Sequence, residues 1–338
     1  MPGDPRPVDL PPADFTLLGR PLHFGTLSPE VHGWLERTWR RDEHAPEHHP
    51  YRIVLEEHGG PPAAADAPGW APVEVRLPDG LSLHWASRGS AWRWGGPESG
   101  AVARFDTEGA RIGVWGAAVD GGAPAAARAD AGDGALGGPA SPPPGWRVAL
   151  YVAFCEALRA SGLLPLHAAV VVRGGEATAL AAPSGTGKTT TLVRLLSQGW
   201  RPLAEDLSWL DPADGTLYGW DRGLRLWPDG VERLGPTLAA APWTVDPDGK
   251  RFLAWDALGV TRVPQARLAR WILLERDAAR PSVYDALPRR DAVRALWEST
   301  GVPMTRGARD AVGAHVAVLL QRLEFRRLRL GSTPIPPL

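Results

Sequence analysis

The sequence predicts an α/β protein in two parts: an N-terminal β-rich domain over residues 1–120 and a second domain over residues 146–338. Three observations carry this prediction. Short alternating apolar segments separated by turn residues fill the first part, and an apolar strand, a glycine-rich turn and a helical repeat follow one another in the second. Between them, residues 121–145 are rich in Ala, Gly and Pro and contain no aromatic residue, which is typical of a linker.

Two buried strands are predicted in the second part, at residues 168–172 and 177–181, joined by a Gly-Gly turn. Apolar residues then recur at helical spacing over residues 190–196, and Gly199 stands where such a helix would end. A loop of small residues lies between the second strand and the helix. This order of strand, small-residue loop and helix predicts a loop that binds phosphate groups.

The loop contains these candidate ligands: Ser184, Gly185, Thr186, Gly187, Lys188, Thr189 and Thr190. It follows the phosphate-loop pattern G-x-x-x-x-G-K-[ST], although Ala182 stands at the first glycine position. Backbone N–H groups of such a turn and the helix N-terminus attract anions. Lys188 would contact the β- and γ-phosphates, and the Thr189 hydroxyl would bind magnesium. We therefore predict a site for ATP or GTP with Mg²⁺; the alternative is an ordinary surface turn.

Lysine is rare in this chain. Lys and Arg together number 37, yet lysine occurs only at Lys188 and Lys250. An ammonium is a compact point charge, whereas a guanidinium is a planar fork. A lysine inside the loop therefore indicates that this position needs the smaller cation.

Two adjacent carboxylates, Glu205 and Asp206, interrupt a largely apolar segment at residues 200–210. Buried strands rarely tolerate unpaired charge, so this pair predicts a nearby cation. We predict that one acid holds magnesium and that the other accepts the proton of an attacking hydroxyl, with Thr189 and Asp206 as the metal ligands. Which acid is the base stays open, and the alternative is a strand end with two solvated acids.

The second part resembles a known family. Residues 166–169, 184–190 and 198–206, and more loosely residues 221–229, 234–235 and 249–251, are similar to segments of the catalytic domain of HPr kinase/phosphorylase and its HPr-kinase-like relatives. The resemblance covers roughly residues 150–330.

The resemblance implies a mixed-sheet α/β core similar to phosphoenolpyruvate carboxykinase, and magnesium-dependent phosphorylation of a serine hydroxyl from a nucleoside triphosphate. It implies that Lys188 and Thr189 are the nucleotide and metal ligands and that Glu205 and Asp206 are the two family acids. His167 matches an upstream histidine of the family, whose implied role is to orient an acid or a phosphate.

Cationic residues after the acids are candidates for stabilising charge on the transferred phosphoryl group, chiefly Arg222 and Lys250. Lys250 follows a turn sequence at residues 246–249, which favours a mobile, lid-like loop. The alternative for these residues is an ordinary surface charge.

The remaining chain is interpreted as scaffold. Helices are predicted at residues 146–161, 289–300 and 306–322, a buried strand at residues 268–276, and an Arg-rich edge strand at residues 323–330, either solvated or facing an acidic partner.

In the N-terminal half we predict a helix at residues 29–40 and hairpins at residues 73–86 and 101–115. Trp92 and Trp94 of this half are either packing core or a platform for a ligand. The His-rich residues 42–49 are predicted to be a solvated loop, with a metal site as the alternative, because Pro46 breaks the helix that would join the histidines.

Charge and cysteine content exclude several classes of function. The net charge is −1, so the chain lacks the excess of positive charge that binds nucleic acid or an anionic membrane. Cys155 is the only cysteine, which excludes a disulfide framework or a thiolate metal cluster formed by this chain alone. With no apolar leader or long apolar run, we expect a cytoplasmic protein. We predict a kinase acting on a serine or threonine hydroxyl of a peptide or protein; the alternatives are a small-molecule kinase and a nucleotide-binding regulator without phosphotransfer.

Overall fold

The computed structural model describes eight short strands between residues 15 and 116, residues 18, 155, 158 and 159, and residues 162–337 except 246–248, 302, 304 and 305. The chain divides into two compact units, one containing the eight strands and the other containing residues 158–337. The boundaries predicted at residues 120 and 145 lie outside the described residues and stay predictions.

The described strands of the first unit form one sheet. They are β1 (Phe15–Leu17), β2 (Arg20–Phe24), β3 (Ile53–Gly59), β4 (Trp70–Arg76), β5 (Ser82–Ala86), β6 (Gly89–Trp94), β7 (Ala101–Asp106) and β8 (Arg111–Gly116). The order is β1-β2-β3-β8-β7-β6-β5-β4, with β3 parallel to both neighbours and β4 to β8 pairing antiparallel in succession. The predicted hairpins correspond to β4–β5 and β7–β8. The predicted helix at 29–40, the His-rich residues 42–49 and the side chains of Trp92 and Trp94 lie outside the described part.

The second unit alternates strands and helices. Its strands are β9 (Leu164–His167), β10 (Ala169–Arg173), β11 (Glu176–Ala181), β12 (Arg201–Ala204), β13 (Leu207–Leu210), β14 (Thr216–Gly219), β15 (Gly223–Leu226), β16 (Thr244–Val245), β17 (Arg251–Ala254), β18 (Gln265–Arg276), β19 (Val283–Ala286) and β20 (Glu324–Leu330). Its described helices are α1 (Lys188–Ser197), α2 (Pro228–Glu232), α3 (Pro236–Ala239), α4 (Arg289–Ser299) and α5 (Arg306–Arg322), with a 3-10 turn at Asp256–Leu258. Of the predicted helix at 146–161, residues 155, 158 and 159 are described and are helical.

The main sheet of this unit is mixed, which confirms the predicted mixed-sheet α/β class. Strand β18 lies parallel to β11 along one edge, and its other edge pairs antiparallel with β14 and then parallel with β20. The path of neighbours runs β12-β10-β11-β18-β14-β13-β9. Strands β15, β17 and β16 form a separate antiparallel sheet.

The main sheet is strongly curled. Strands β12 and β13 lie near opposite ends of the path of neighbours, yet only Glu205 and Asp206 separate them in the chain. The far ends of the sheet must therefore approach each other at this corner. The approach is visible at Gly219 of β14, where an added Cβ would lie 2.1 Å from the carbonyl oxygen of Leu203 in β12.

Both faces of the main sheet are buried. Along β10 and the residue before it, Ala168, Val170 and Val172 pack in one core with Leu296 of α4 and residues of α5. The alternate residues of β10 pack in a second core with α1 and the three-stranded sheet. Period-two alternation in a strand covered on both sides explains why this segment is a continuous apolar run.

The helix after the loop begins and ends where the sequence predicts. Helix α1 starts at Lys188, and Gly199 follows it with a φ of 87°. The Gly199 N–H donates to the Leu196 carbonyl and the Trp200 N–H donates to the Leu195 carbonyl, at 3.0 and 3.1 Å. These two bonds satisfy the last carbonyls of the helix and fix the direction in which the chain leaves it.

The prediction that residues 323–330 form an edge strand is wrong. Strand β20 pairs with β18 on one side and with β19 on the other. The arginines that suggested solvent exposure instead meet acids on neighbouring elements: Arg327 contacts Asp291 at 3.0 Å, and Arg329 pairs with Asp285. An arginine-rich strand is accommodated inside the sheet because its neighbours supply opposite charges at matching positions.

Among the helices that the structure describes, none combines the length and apolar character that crossing a membrane requires.

Candidate active site

The small-residue loop leaves β11 at Ala181 and enters α1 at Lys188. Gly185 and Gly187 have φ angles of 77° and 120°, a region in which an L side chain is strained. Gly187 is the N-cap of α1 and provides no side-chain hydrogen bond, and no acidic residue lies in the first helical turn. The N–H groups at this helix end are therefore not neutralised by a local carboxylate, which suits an anionic ligand.

The predicted loop residues differ in their exposure. Ser184 and Gly185 are exposed, and Thr186, Gly187, Thr189 and Thr190 are half-buried. Lys188 is only 9% exposed, and its Nζ donates to the Ala182 carbonyl at 3.0 Å. The loop thus presents its backbone to solvent while holding the ammonium group against its own first residues.

The two predicted acids occupy the corner between β12 and β13. Glu205 is 5% exposed, and its carboxyl group accepts a hydrogen bond from the Thr189 hydroxyl. This contact joins the corner to the first turn of α1. The structure therefore brings together the loop lysine, the loop threonine and a buried carboxyl group.

Asp206 lies on the exposed side of the same corner. Its Oδ1 is 2.8 Å from the Nε2 of His167, and the two side chains are 55% and 52% exposed. Strand pairing explains the contact: β13 runs antiparallel to β9 with Leu207 opposite His167, so the residue before Leu207 is adjacent to the histidine. His167 and Asp206, remote in sequence, thus form one hydrogen-bonded pair.

The predicted metal ligands Thr189 and Asp206 have different hydrogen-bond partners in the structure. Thr189 contacts Glu205, and Asp206 contacts His167. The two acids have different partners because strand β12 ends at Ala204. Their side chains therefore project from a bend and not from a regular strand. Alternation along a strand did not decide which acid faces the loop.

The environments of Glu205 and Asp206 shift the pKa values of the two carboxyl groups in opposite directions. Burial, together with the charges of Asp221 and Asp206, raises the pKa of Glu205 to about 8, despite the Thr189 hydrogen bond and Lys188. Burial also acts on Asp206, but the hydrogen bond and charge of His167, with Lys188 and Lys250, hold its pKa below the ordinary value. At neutral pH the buried acid carries a proton and the exposed acid is ionised.

We expect Glu205→Gln to stabilise the magnesium-free protein, increasingly at high pH. The unfolded chain loses the Glu205 proton near pH 4.5, whereas the folded protein keeps it to about pH 8, so wild-type stability falls as pH rises through this interval. The loss is up to about 1.4 kcal/mol per pH unit. Glutamine resembles the protonated acid and carries no such dependence.

Urea denaturation in EDTA at pH 5 and pH 8 measures this effect. The exposed Glu232 of α2, changed to Gln, is the matched control and should leave the pH dependence as in the wild type. A Glu205→Gln protein that loses the same stability as the wild type between the two pH values would contradict the assignment.

The predicted cationic residues lie after the corner in the three-stranded sheet region. The Nζ of Lys250 lies 5.3 Å from the ring centroid of Trp227, which is 54% exposed. Lys250 is also one of the charges that lower the pKa of Asp206, so it acts on the exposed side of the corner. Arg222 is exposed, and its carbonyl accepts the Trp255 N–H at 3.2 Å. Of the predicted lid turn at 246–249, residues 246–248 lie outside the described residues.

One residue of the site was not predicted. Asp221 follows β14, and its Oδ2 accepts the backbone N–H groups of Glu205, Asp206 and Leu207 at 2.9, 2.7 and 2.9 Å. Burial raises its pKa to about 6, although these backbone donors favour the charged form. The only sequence signal was the acid-Arg-Gly order at residues 221–223, which does not reveal a contact with the corner.

The oxygen donors fit a magnesium ion that is shared with phosphate groups. Among the described residues, no group of three or more His, Cys, Asp or Glu side chains is placed to hold a metal by itself. Mg²⁺ is usually held by one or two protein oxygens together with water and substrate phosphates. The Thr189 hydroxyl and the Glu205 carboxyl group, in direct contact, are hard oxygen donors of this kind.

Comparisons with known proteins place few constraints on the chain. No family model matches it, and no curated protein matches it at a significant level. Among solved structures it is similar in part to the Hpr(Ser) kinase/phosphatase from Coxiella burnetii, over 49% of this chain and 85% of that chain, with 10% sequence identity and a TM-score of 0.25. A likeness at this TM-score gives no information about activity.

Proposed function

We propose that this protein is a magnesium-dependent phosphotransferase that uses ATP or GTP to phosphorylate a serine or threonine hydroxyl of a peptide or protein. The observation that carries the proposal is the contact between the Thr189 hydroxyl and the buried Glu205, with the Asp206–His167 pair at the next residue. These contacts support the proposal because they join the candidate phosphate-binding loop to a candidate proton acceptor.

The loop between β11 and α1 would bind the triphosphate. Lys188 would contact the terminal phosphates, and the uncapped N–H groups at the start of α1 would bind phosphate oxygens. Gly185 and Gly187 permit the backbone turn that exposes these donors. Catalysis of phosphoryl transfer depends mainly on such positioning and charge stabilisation.

Thr189 and Glu205 would hold the magnesium ion. When bound, the ion would neutralise charge on the phosphate oxygens and favour the ionised form of Glu205. The raised pKa of Glu205 fits this role, because a buried carboxyl group in this position needs a cation before it ionises readily.

Asp206 is the proposed proton acceptor. It is ionised at neutral pH and exposed, whereas Glu205 is protonated and buried. Asp206 would take the proton of the acceptor hydroxyl as the bond from its oxygen to the γ-phosphorus forms and the bond from the γ-phosphorus to the β–γ bridging oxygen breaks, which releases the nucleoside diphosphate. His167 would hold the Asp206 carboxylate in place through the 2.8 Å contact, which makes it an orienting residue.

The exposure of this pair favours a macromolecular acceptor. Both side chains of the Asp206–His167 pair are about half exposed, so a hydroxyl on an extended chain can reach them. Sites for small molecules normally bury most of their ligand in an enclosed pocket. The acceptor class is therefore proposed to be a peptide or protein.

The proposal is tested by incubating the protein with γ-labelled ATP or GTP and Mg²⁺, separately with a degenerate serine/threonine peptide library and with a pool of small alcohols. Label in the peptides that is abolished by EDTA supports the proposal. Label in the small alcohols would make the protein a small-molecule kinase. Nucleotide binding without transfer to either pool would overturn phosphotransfer and leave a nucleotide-binding regulator.

A further inference from the structure

The carboxylate of Asp221 accepts hydrogen bonds from three consecutive backbone N–H groups. Its Oδ2 accepts the N–H groups of Glu205, Asp206 and Leu207, each within 2.9 Å. These residues are the complete bend between β12 and β13 and the first residue after it. One side chain therefore restrains the backbone from which both acids project.

Asp221 is itself held by the core of the three-stranded sheet region. The indole Nε1 of Trp255 donates to the Asp221 carbonyl at 3.0 Å, and the Trp255 N–H donates to the Arg222 carbonyl at 3.2 Å. Trp255 is 3% exposed and packs in the same core as α1. Through Trp255, Asp221 is thus connected to the core that contains helix α1, which follows the candidate phosphate-binding loop.

Two glycines on either side of Asp221 bring its segment close to neighbouring backbone. A Cβ added at Gly219 would lie 2.1 Å from the Leu203 carbonyl oxygen, and one added at Gly223 would lie 2.1 Å from the Leu253 carbonyl oxygen. Because both obstacles are backbone atoms, no side-chain rotation would relieve them. The chain approaches β12 and β17 at a distance that only glycine permits.

We propose that Asp221 is a positioning residue, whose carboxylate holds residues 205–207 so that Glu205 faces Thr189 and Asp206 faces His167. This inference rests on the proposed phosphotransfer. Asp221 acts through backbone N–H groups, which occupy its Oδ2, and it performs no proton transfer or bond formation itself. Loss of the restraint displaces both acids together.

Two conservative variants of Asp221 distinguish a role in positioning residues 205–207 from a role of its negative charge alone. Asp221→Asn keeps the length and one acceptor oxygen but removes the charge. Asp221→Glu keeps the charge but extends the side chain by one methylene and displaces the corner. A positioning role makes the Asn variant the more active of the two, whereas an electrostatic role makes the Glu variant the more active.

The test measures kcat and KM for nucleotide in these variants and in Asp221→Ala, with γ-labelled ATP and the peptide library. We expect Asp221→Ala to lower kcat about 100-fold, the effect of a misplacement near 1 Å, with little change in KM. Asp221→Asn should recover most of the lost kcat, and Asp221→Glu should not. If Asp221→Ala fails to fold, the comparison of Asn with Glu decides by itself.

A matched control is available in the preceding turn. Asp214 also accepts a backbone N–H through its side chain, from Thr216 at 2.7 Å, but it lies at the other end of β14. Asp214→Ala should leave kcat unchanged. An equal loss of kcat in Asp214→Ala and Asp221→Ala would overturn the proposal, because the effect would then be general destabilisation.

Hydrogen exchange gives a readout that does not depend on activity. In Asp221→Ala and Asp221→Glu, the amides of residues 205–207 should exchange faster than in the wild type and in Asp221→Asn, while those of β10 should not. Unchanged exchange at residues 205–207 would overturn the positioning role. If the wild type transfers no phosphate to any acceptor, the proposed function fails, and the exchange result still decides whether Asp221 restrains the corner.

Discussion

Lys188→Ala should reduce phosphoryl transfer by about 100- to 1,000-fold, the usual effect of removing one preorganised charge from a transition-state site. Lys188 is 9% exposed and its ammonium group is held against the loop at the Ala182 carbonyl, so no mobile surface cation can take its place. The affinity for nucleotide should fall together with the rate, because the same charge contacts the phosphates before and during transfer. Initial rates and equilibrium binding of a fluorescent ATP analogue measure the two effects.

Arg194→Ala is the matched control for this experiment. Arg194 lies on the exposed face of the same helix, so its removal changes the helix charge equally without touching the loop. A second readout uses the scarcity of lysine: with only Lys188 and Lys250 in the chain, acylation followed by mass spectrometry resolves each side chain. Saturating MgATP should protect Lys188. A Lys188→Ala protein with wild-type activity would refute the site.

Asp206→Asn should lower kcat by about 100- to 10,000-fold, the contribution typical of a general base. Asparagine keeps the size of the side chain and can still contact His167, but it accepts no proton at any working pH. Nucleotide binding should be preserved, since Asp206 lies on the exposed side of the corner and does not contact the loop threonine. The measurement is kcat and KM for nucleotide with the peptide acceptor at neutral pH.

The lowered pKa of Asp206 also predicts how activity depends on pH. Since its carboxylate stays ionised below the ordinary value of 3.8, wild-type activity should not be limited by protonation of Asp206 anywhere in the neutral or mildly acidic range. His167→Gln retains a hydrogen-bonding group beside Asp206 and should therefore lose less activity than Asp206→Asn. A kcat for Asp206→Asn equal to that of the wild type would exclude Asp206 as the base.

The local elements of the second unit were predictable because short-range patterns determine them. Continuous apolar runs mark β10 and β11, the helical repeat marks α1, and Gly199 ends that helix with the expected pair of hydrogen bonds. The small-residue loop was identifiable as a candidate phosphate-binding loop because its glycines and Lys188 stand at fixed spacing between these elements.

Contacts that depend on the partner strand were not predictable. The position of β20 inside the sheet depends on acids from α4 and β19, and nothing in its own alternation reveals them. The choice of Glu205 rather than Asp206 at Thr189 depends on a bend whose shape is imposed by Asp221 from another segment. A single chain pattern carries no information about which distant residue will supply such an acceptor.

The curled sheet also bears on how the protein acquires its site during folding. Glu205 and Asp206 join β12 to β13, and these strands belong to opposite ends of the strand order. Native spacing between Thr189, Glu205 and His167 therefore requires both ends to have docked, and such long-range pairings form slowly. Partly folded chains should bind no nucleotide tightly, so recovery of nucleotide affinity in a refolding experiment would report the closure of the whole sheet rather than the formation of the loop.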